Sequence, residues 1–200
     1  MDALINVNGE NFQTLQILLL TTLITLLPSI VVMMTSFTRY IISLSFLRSA
    51  IGLQHNPHNM VLVGMALFLT LFTMSPVISD IQTNAYEPYI AERITQEEFY
   101  EKAKVPLKEF MLDQTEDSSL ELFCELAGAD MPATRAQAEG LPLRIIVPSF
   151  MTSELKHAFL IGFYLYIPFV LIDVVVASTL MSMGMIMLPP SMISMPFKLL

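Results

Sequence analysis

Charge is scarce in this 200-residue chain, and it is unevenly placed. Asp, Glu, Lys and Arg make up 14% of residues, against roughly a quarter in soluble domains. Residues 11–38 carry no charge, and residues 49–79 carry none apart from His55 and His58. From residue 158 to the end there are two charges, Asp173 and Lys198. Uncharged apolar runs of this length can cross a bilayer core, which takes about 20 helical residues. This excludes an ordinary soluble globular domain and makes the class an integral membrane protein. The single cysteine, Cys124, rules out an intrachain disulfide and leaves the redox compartment unread. Seven glycines in the whole chain form no glycine-rich phosphate loop. No Ser, His and Asp share a local context, and no carboxylate pair sits in a plausible cleft, so the chain does not read as an enzyme. His55 and His58 resemble a metal pair in spacing alone. Pro57 separates them and no cysteine or nearby acid completes a ligand set, so they read as a loop near the membrane surface. No cofactor and no metal is expected.

The charge that is present is concentrated. Residues 80–156 hold 15 acidic and 7 basic side chains, a net of −8, and the remainder of the chain is balanced. An acidic segment repels phosphate backbones, so nucleic acid is not an expected partner. Arg39 and Arg48 lie between two apolar runs, and the positive-inside tendency places that connection in the cytoplasm and the acidic segment on the periplasmic side. The N-terminus, MDALINVNGENF, has no basic region of the kind that opens a signal peptide.

Organisation follows the charge. Phe12–Met34 is a first apolar run, with Pro28 inside it. Residues 35–59 remain apolar between hydroxyls. Thr35, Arg39 and Ser43 share one helical face, and Ser45 and Ser49 share another with Arg48 beside them. Small hydroxylated residues and the two arginines then serve close helix packing, with Gly52 and Asn56-Pro57 ending the helix. Met60–Ser79 is the second clear run, expected to stop at Pro76 and Asp80. In the acidic segment, Thr95 and Glu98 fit a capping box. Pro106 is placed to start a further short helix. Residues 116–128 read as another helix, capped by Asp117 or Ser118, packing through Leu122, Phe123 and Leu126 and ended by Gly128. Residues 129–143 read as a loop. No strand pattern persists. The fold class is all-α: an N-terminal apolar hairpin over residues 1–80, an acidic soluble helical subdomain over 81–144, and a C-terminal apolar hairpin with a methionine-rich loop over 145–200.

Two features of the C-terminal arm stand out. Asp173 and Lys198 are its two charges, and they are opposite in sign. A charge deep in an apolar span is expensive and faces a partner or water. Their midpoint falls between Met185 and Ile186, so a turn at Gly184, Pro189 and Pro190 would set them at equal depth as a buried ion pair. The alternative is that Lys198 snorkels to the interface. The second feature is Met181, Met183, Met185 and Met187. Methionine is flexible and polarizable and conforms to irregular or changing surfaces. That suits a deformable seal, although from composition alone ordinary gap-filling is the better reading.

Longer motifs add a family. MMTSFTRYIISLSFLRSAIG (33–52), ALFLTLFTMSPV (66–77), KAKVPLKEFML (102–112), RIIVPSFMTSELKHAFLIGFYLYIPFVLIDVVVAS (144–178) and LMSMGMIMLPPSMISMPFKLL (180–200) resemble, in order, the blocks of the FliP family of type III export gate subunits. The likeness covers nearly the whole chain, and the PLKEFML block favours the flagellar over the injectisome branch. The resemblance implies a subunit of a protein-conducting gate in the bacterial inner membrane, at the flagellar basal body. It implies a homo-oligomeric ring of several copies assembled with FliQ and FliR, and with FlhB and FlhA, through which unfolded flagellar export substrates pass. By the same resemblance Met181, Met183, Met185 and Met187 form a gasket at the narrow point, and the family's aspartate and lysine fall on Asp173 and Lys198. Two departures are expected. Family members usually begin with a cleaved signal peptide and continue past PFKLL with another apolar stretch, so the chain reads as truncated. Hydropathy alone counts four ordinary spans, whereas in this family much apolar surface is buried in the assembly. A solute or ion transporter using Asp173 is the competing function, but neither an internal repeat nor extra midplane polar residues support it.

Overall fold

Nine helices and one strand pair account for nearly all of the computed structural model, which describes residues 4–7, 10–53, 56–185 and 189–199. The helices are α1 (Thr14–Met34), α2 (Phe37–Ile51), α3 (Asn59–Ile81), α4 (Glu87–Ile90), α5 (Gln96–Gln114), α6 (Asp117–Ala127), α7 (Arg135–Glu139), α8 (Leu143–Ser182) and α9 (Pro190–Leu199). The class is all-α, as expected, apart from a short N-terminal hairpin. There β1 (Leu4–Val7) pairs antiparallel with β2 (Glu10–Gln13), with Val7 opposite Glu10. The intervening sequence, Asn8-Gly9, is the strongest short hairpin signal a chain can carry, and the expectation of no strand overlooked it.

Two of the expected stops do not occur. α3 runs through Pro76 and Asp80, and a π-helical turn over Gln82–Tyr86 then joins it to α4, giving 32 residues of nearly continuous helix. Proline removes one internal hydrogen bond, but Met74 and Val77 on either side of Pro76 are both buried, so packing holds the helix across it. Pro106 likewise starts nothing and lies inside α5. Both halves of α5 are anchored, Phe99 by Tyr89 and Phe110 by Phe150, with ring centroids 5.1 and 5.9 Å apart. The start of α5 does match expectation. Glu98 donates its backbone N–H to the Thr95 hydroxyl, and the Glu98 carboxylate accepts from the Thr95 N–H at 2.8 Å, completing a capping box.

α6 corrects its assignment in detail. Glu116, not Asp117 or Ser118, occupies the N-cap, and its N–H donates to the Ser153 hydroxyl at 3.0 Å. Leu122 and Leu126 face outward, while Leu120 and Cys124 are buried beside partly buried Phe123. Residues 129–143 are not all loop, because α7 lies within them.

α8 is the spine. At 40 residues it is about 60 Å long, twice the thickness of a bilayer core. α2, α5, α6 and α9 all pack on it. Its first turns supply Ile145, Ile146 and Phe150 to one core with Met111, Leu112, Leu120, Cys124 and Ala138 from α5–α7. The expected boundary at 144–145 thus falls inside a shared core, and the one at 80–81 falls within α3. Fully burying such side chains stabilises by about 1.5–3 kcal/mol each. The far half of α8 is apolar and exposed, including Phe159, Phe163, Leu171 and Val174. Among the described residues two helical stretches, Asn59–Ile90 and Leu143–Ser182, are long and apolar enough to cross a membrane, with a shorter apolar stretch at Ile17–Ile30. α2, which carries two arginines, is not among these stretches.

Candidate functional site

Three features of α8 and the helices against it concentrate the chain's unusual chemistry. The first is at the junction between the helical subdomain and the apolar helices. Glu154 is fully buried, on the same face as Phe150 and Ala158, which lie about one turn before and one turn after it. Arg39 of α2 reaches it with both prongs of its guanidinium. Nε donates to one carboxylate oxygen at 2.9 Å and Nη2 to the other, while Nη2 also donates to the Gln114 side-chain carbonyl at 2.9 Å. Three elements, α2, α8 and the end of α5, meet on one charge pair. Just outside it, Glu116 accepts from Lys156 and lies 3.5 Å from His157 Nε2. The Lys156 hydrogen bond is the main cause holding the Glu116 carboxyl below its usual range. Glu154 is not among the candidates that the sequence singles out, since beside Lys156 it has the look of a polar break between apolar stretches. The available signal was an acid at helical spacing between Phe150 and Ala158, in need of a partner, with Arg39 the one charge in residues 11–47.

The second feature joins the far end of α8 to α9. Lys198 Nζ donates to Asp173 Oδ2 at 2.7 Å and to the Ala50 carbonyl in the last turns of α2 at 3.0 Å. Ser194, fully buried, donates its hydroxyl to Asp173 Oδ1. The Lys198 side chain is 7% exposed, which leaves no room for snorkelling. The Asp173 side chain is 38% exposed, so the pair is buried on its lysine side only, and it sets the register of α9 on α8 more than it adds stability.

The third feature is the methionine stretch between these two helices. α8 continues through Met181 to Ser182, so Met181 is helical rather than part of the loop. Met183 is the C-cap and Gly184 follows at φ +77°, with its N–H bonded to the Met181 carbonyl at 3.0 Å and the Met185 N–H to the Leu180 carbonyl at 3.0 Å. This pair of bonds is a Schellman motif, and the left-handed position it requires favours glycine. Met181, Met183 and Met185 are 66%, 74% and 40% exposed. Met187 lies outside the described residues. Pro189 is exposed, and Pro190 opens α9 at a position where its missing N–H is harmless. Gly184 thus makes the first bend and Pro190 starts the return helix.

Arg48, expected to serve packing, is placed differently from Arg39. It donates to the Asn59 side chain at the start of α3 and, at 3.5 Å, to the Pro57 carbonyl. His58 is the N-cap of α3, with no side-chain capping bond, and His55 lies outside the described residues. No group of three or more potential metal ligands occurs among the described residues.

Comparison with known proteins agrees over nearly the whole chain. Residues 19–200 match the FliP family. The chain is 46% identical to the flagellar biosynthetic protein FliP of Aquifex aeolicus over 192 residues, covering 96% of this chain and 80% of that one. It is 49% identical to the protein of the same name from Bacillus subtilis over 187 residues, covering 94% and 83%. The Pectobacterium carotovorum protein of that name is also 49% identical, over 96% of this chain and 74% of its own length. Identity at this level over most of the chain, with two helices of span length, places it in the inner membrane as a non-catalytic subunit: it belongs to the FliP family.

Proposed function

We propose that the chain is a subunit of the flagellar type III export gate, several copies of which close into a ring around a channel for unfolded flagellar substrates. The observation that carries the channel reading is the exposure of Met181, Met183 and Met185 at the end of α8, beyond the Asp173–Lys198 pair. Leaving large apolar side chains in water forgoes about 1.5–3 kcal/mol each, so the stretch needs something to close on. Methionine seals against small ions yet re-packs around a passing chain, because three rotatable bonds let it follow a changing surface. One such stretch per chain, with Met187 included, makes a gasket when copies are arranged in a ring. The names of the similar proteins support the flagellar branch over the injectisome branch. FliQ and FliR complete the gate in this reading, with FlhB and FlhA beside it in the basal body. The acidic subdomain lies on the periplasmic side, a placement supported by Arg48 in the last turn of α2, away from the end where Arg39 meets the subdomain. No observation favours the transporter reading, since Asp173 is engaged by both Lys198 and Ser194.

The test is conductance of the assembled complex. Replacing Met183, Met185 and Met187 with alanine is expected to let small ions leak while the complex still assembles. Unchanged conductance in an assembled complex rejects the gasket.

A further inference from the structure

The end of α2 and one face of α9 line an open cavity of about 560 Å³ whose lining includes Arg48, Ser49, Asn56, Ser191 and Lys198. Its charge is unbalanced. Lys198 is neutralised by Asp173, but Arg48 meets neutral partners, the Asn59 side chain and the Pro57 carbonyl. No carboxylate is among the described lining residues, which present one uncompensated positive charge. Hydroxyls of Ser49 and Ser191 and the amide of Asn56 stand beside it as donors for oxygens, and Leu53, Met192 and Met195 give it an apolar flank.

We propose that this cavity binds the phosphodiester headgroup of an anionic membrane lipid. A phosphodiester carries a single negative charge and matches the single excess positive charge, whereas a phosphomonoester approaches −2 near neutral pH. Position favours a lipid over a dissolved phosphate. Arg48 contacts the first residue of α3, where the span-length apolar helix begins, so the cation sits at the height of headgroups. Basic pockets between helices at that level bind anionic lipids. The apolar flank then lies along the glycerol and first acyl carbons. This site is independent of the methionine gasket and concerns each copy of the chain separately.

The experiment is native mass spectrometry of the full chain in a neutral detergent, loaded with phosphatidylglycerol or phosphatidylcholine of equal acyl length. Phosphatidylglycerol should be retained preferentially. Arg48→Gln should lower its retention about five- to tenfold, Arg48→Lys should keep most of it, and phosphatidylcholine should be unaffected. Ser191→Glu, at an exposed position, should lower retention comparably by adding a negative charge, which keeps the test open should Arg48→Gln not fold. Arg93→Gln, an exposed arginine of the subdomain, should change nothing. Equal retention of the two lipids overturns the proposal. So does parental retention of phosphatidylglycerol in Arg48→Gln or, where that variant does not fold, in Ser191→Glu. Displacement of phosphatidylglycerol by millimolar inorganic phosphate would assign the cavity to a free anion and overturn the lipid.

Discussion

Arg39 of α2 and Glu154 of α8, 115 positions apart in sequence, meet as a two-pronged ion pair whose carboxylate is wholly shielded from solvent. The pair sits where the soluble subdomain, through Gln114, touches the apolar helices. Geometry this complete makes each charge dependent on the other. Glu154→Ala or Arg39→Ala should each destabilise the chain by about 3–5 kcal/mol, because the remaining charge stays buried without a partner. Replacing both by methionine should cost less than either single change. Thermal unfolding of the purified chain in detergent measures all three, and a double variant worse than both singles would contradict a pairing role.

Asp173→Ala should weaken the attachment of α9, since Lys198 and Ser194 both lose an acceptor. Exchanging the charges, Asp173→Lys with Lys198→Asp, should restore assembly in part and not fully. An aspartate at 198 would face the Ala50 carbonyl, acceptor against acceptor, where lysine now donates. Recovery of the assembled complex on a native gel checks this; no recovery, with both single changes harmless, would rule the pair out as a register device.

Gly184→Ala places an ordinary side chain at φ +77°. No described residue lies within 4 Å of the added Cβ, so the expected effect is backbone strain. About 1 kcal/mol is expected, and less for Gly184→Asn. Hydrogen exchange at the Met185 N–H, which bonds to the Leu180 carbonyl, should be about fivefold faster in the alanine variant.

Glu116 gives the subdomain an acid-sensitive contact. Its folded-state pKa lies below the ordinary 4.5, chiefly through the Lys156 hydrogen bond. Between those two values the unfolded chain binds more protons than the folded one. The contribution is complete above about pH 4.5 and disappears as pH falls through the folded pKa. Lys156→Met should flatten that part of the stability curve, measured by denaturation between pH 3 and 6.

What could be read from the residues followed from signals that need no partner. The Thr95–Glu98 capping box and the stops at Gly52 and Gly128 are local, and each appears where expected. Asp173 and Lys198 could be paired in advance because no other charge competes along the arm. The failures share a cause in tertiary packing. Pro76 and Pro106 carry a helix-breaking penalty of about 3 kcal/mol, which packing offsets, through buried Met74 and Val77 on either side of Pro76 and through Met111 and Leu112 beyond Pro106. Glu154 looks like a polar break until Arg39 arrives from α2. Leu122 and Leu126 satisfy an apolar spacing, yet the face that packs is that of Leu120 and Cys124. The methionines were conspicuous as a string, but Met181 belongs to a helix and Met183 to its cap, a division no composition contains.

The length of α8 has a mechanical meaning. Phe150, anchored in the subdomain core, and Met181, at the exposed end, ride on one helix about 46 Å apart along its axis. A tilt of roughly 5° about the core would swing the methionine end by about 4 Å, the width of a side chain. Pro168, which gives up one backbone hydrogen bond along the way, is where such a rod would yield first. Force applied to the acidic subdomain is therefore felt at the methionines by leverage, with no change of secondary structure in between.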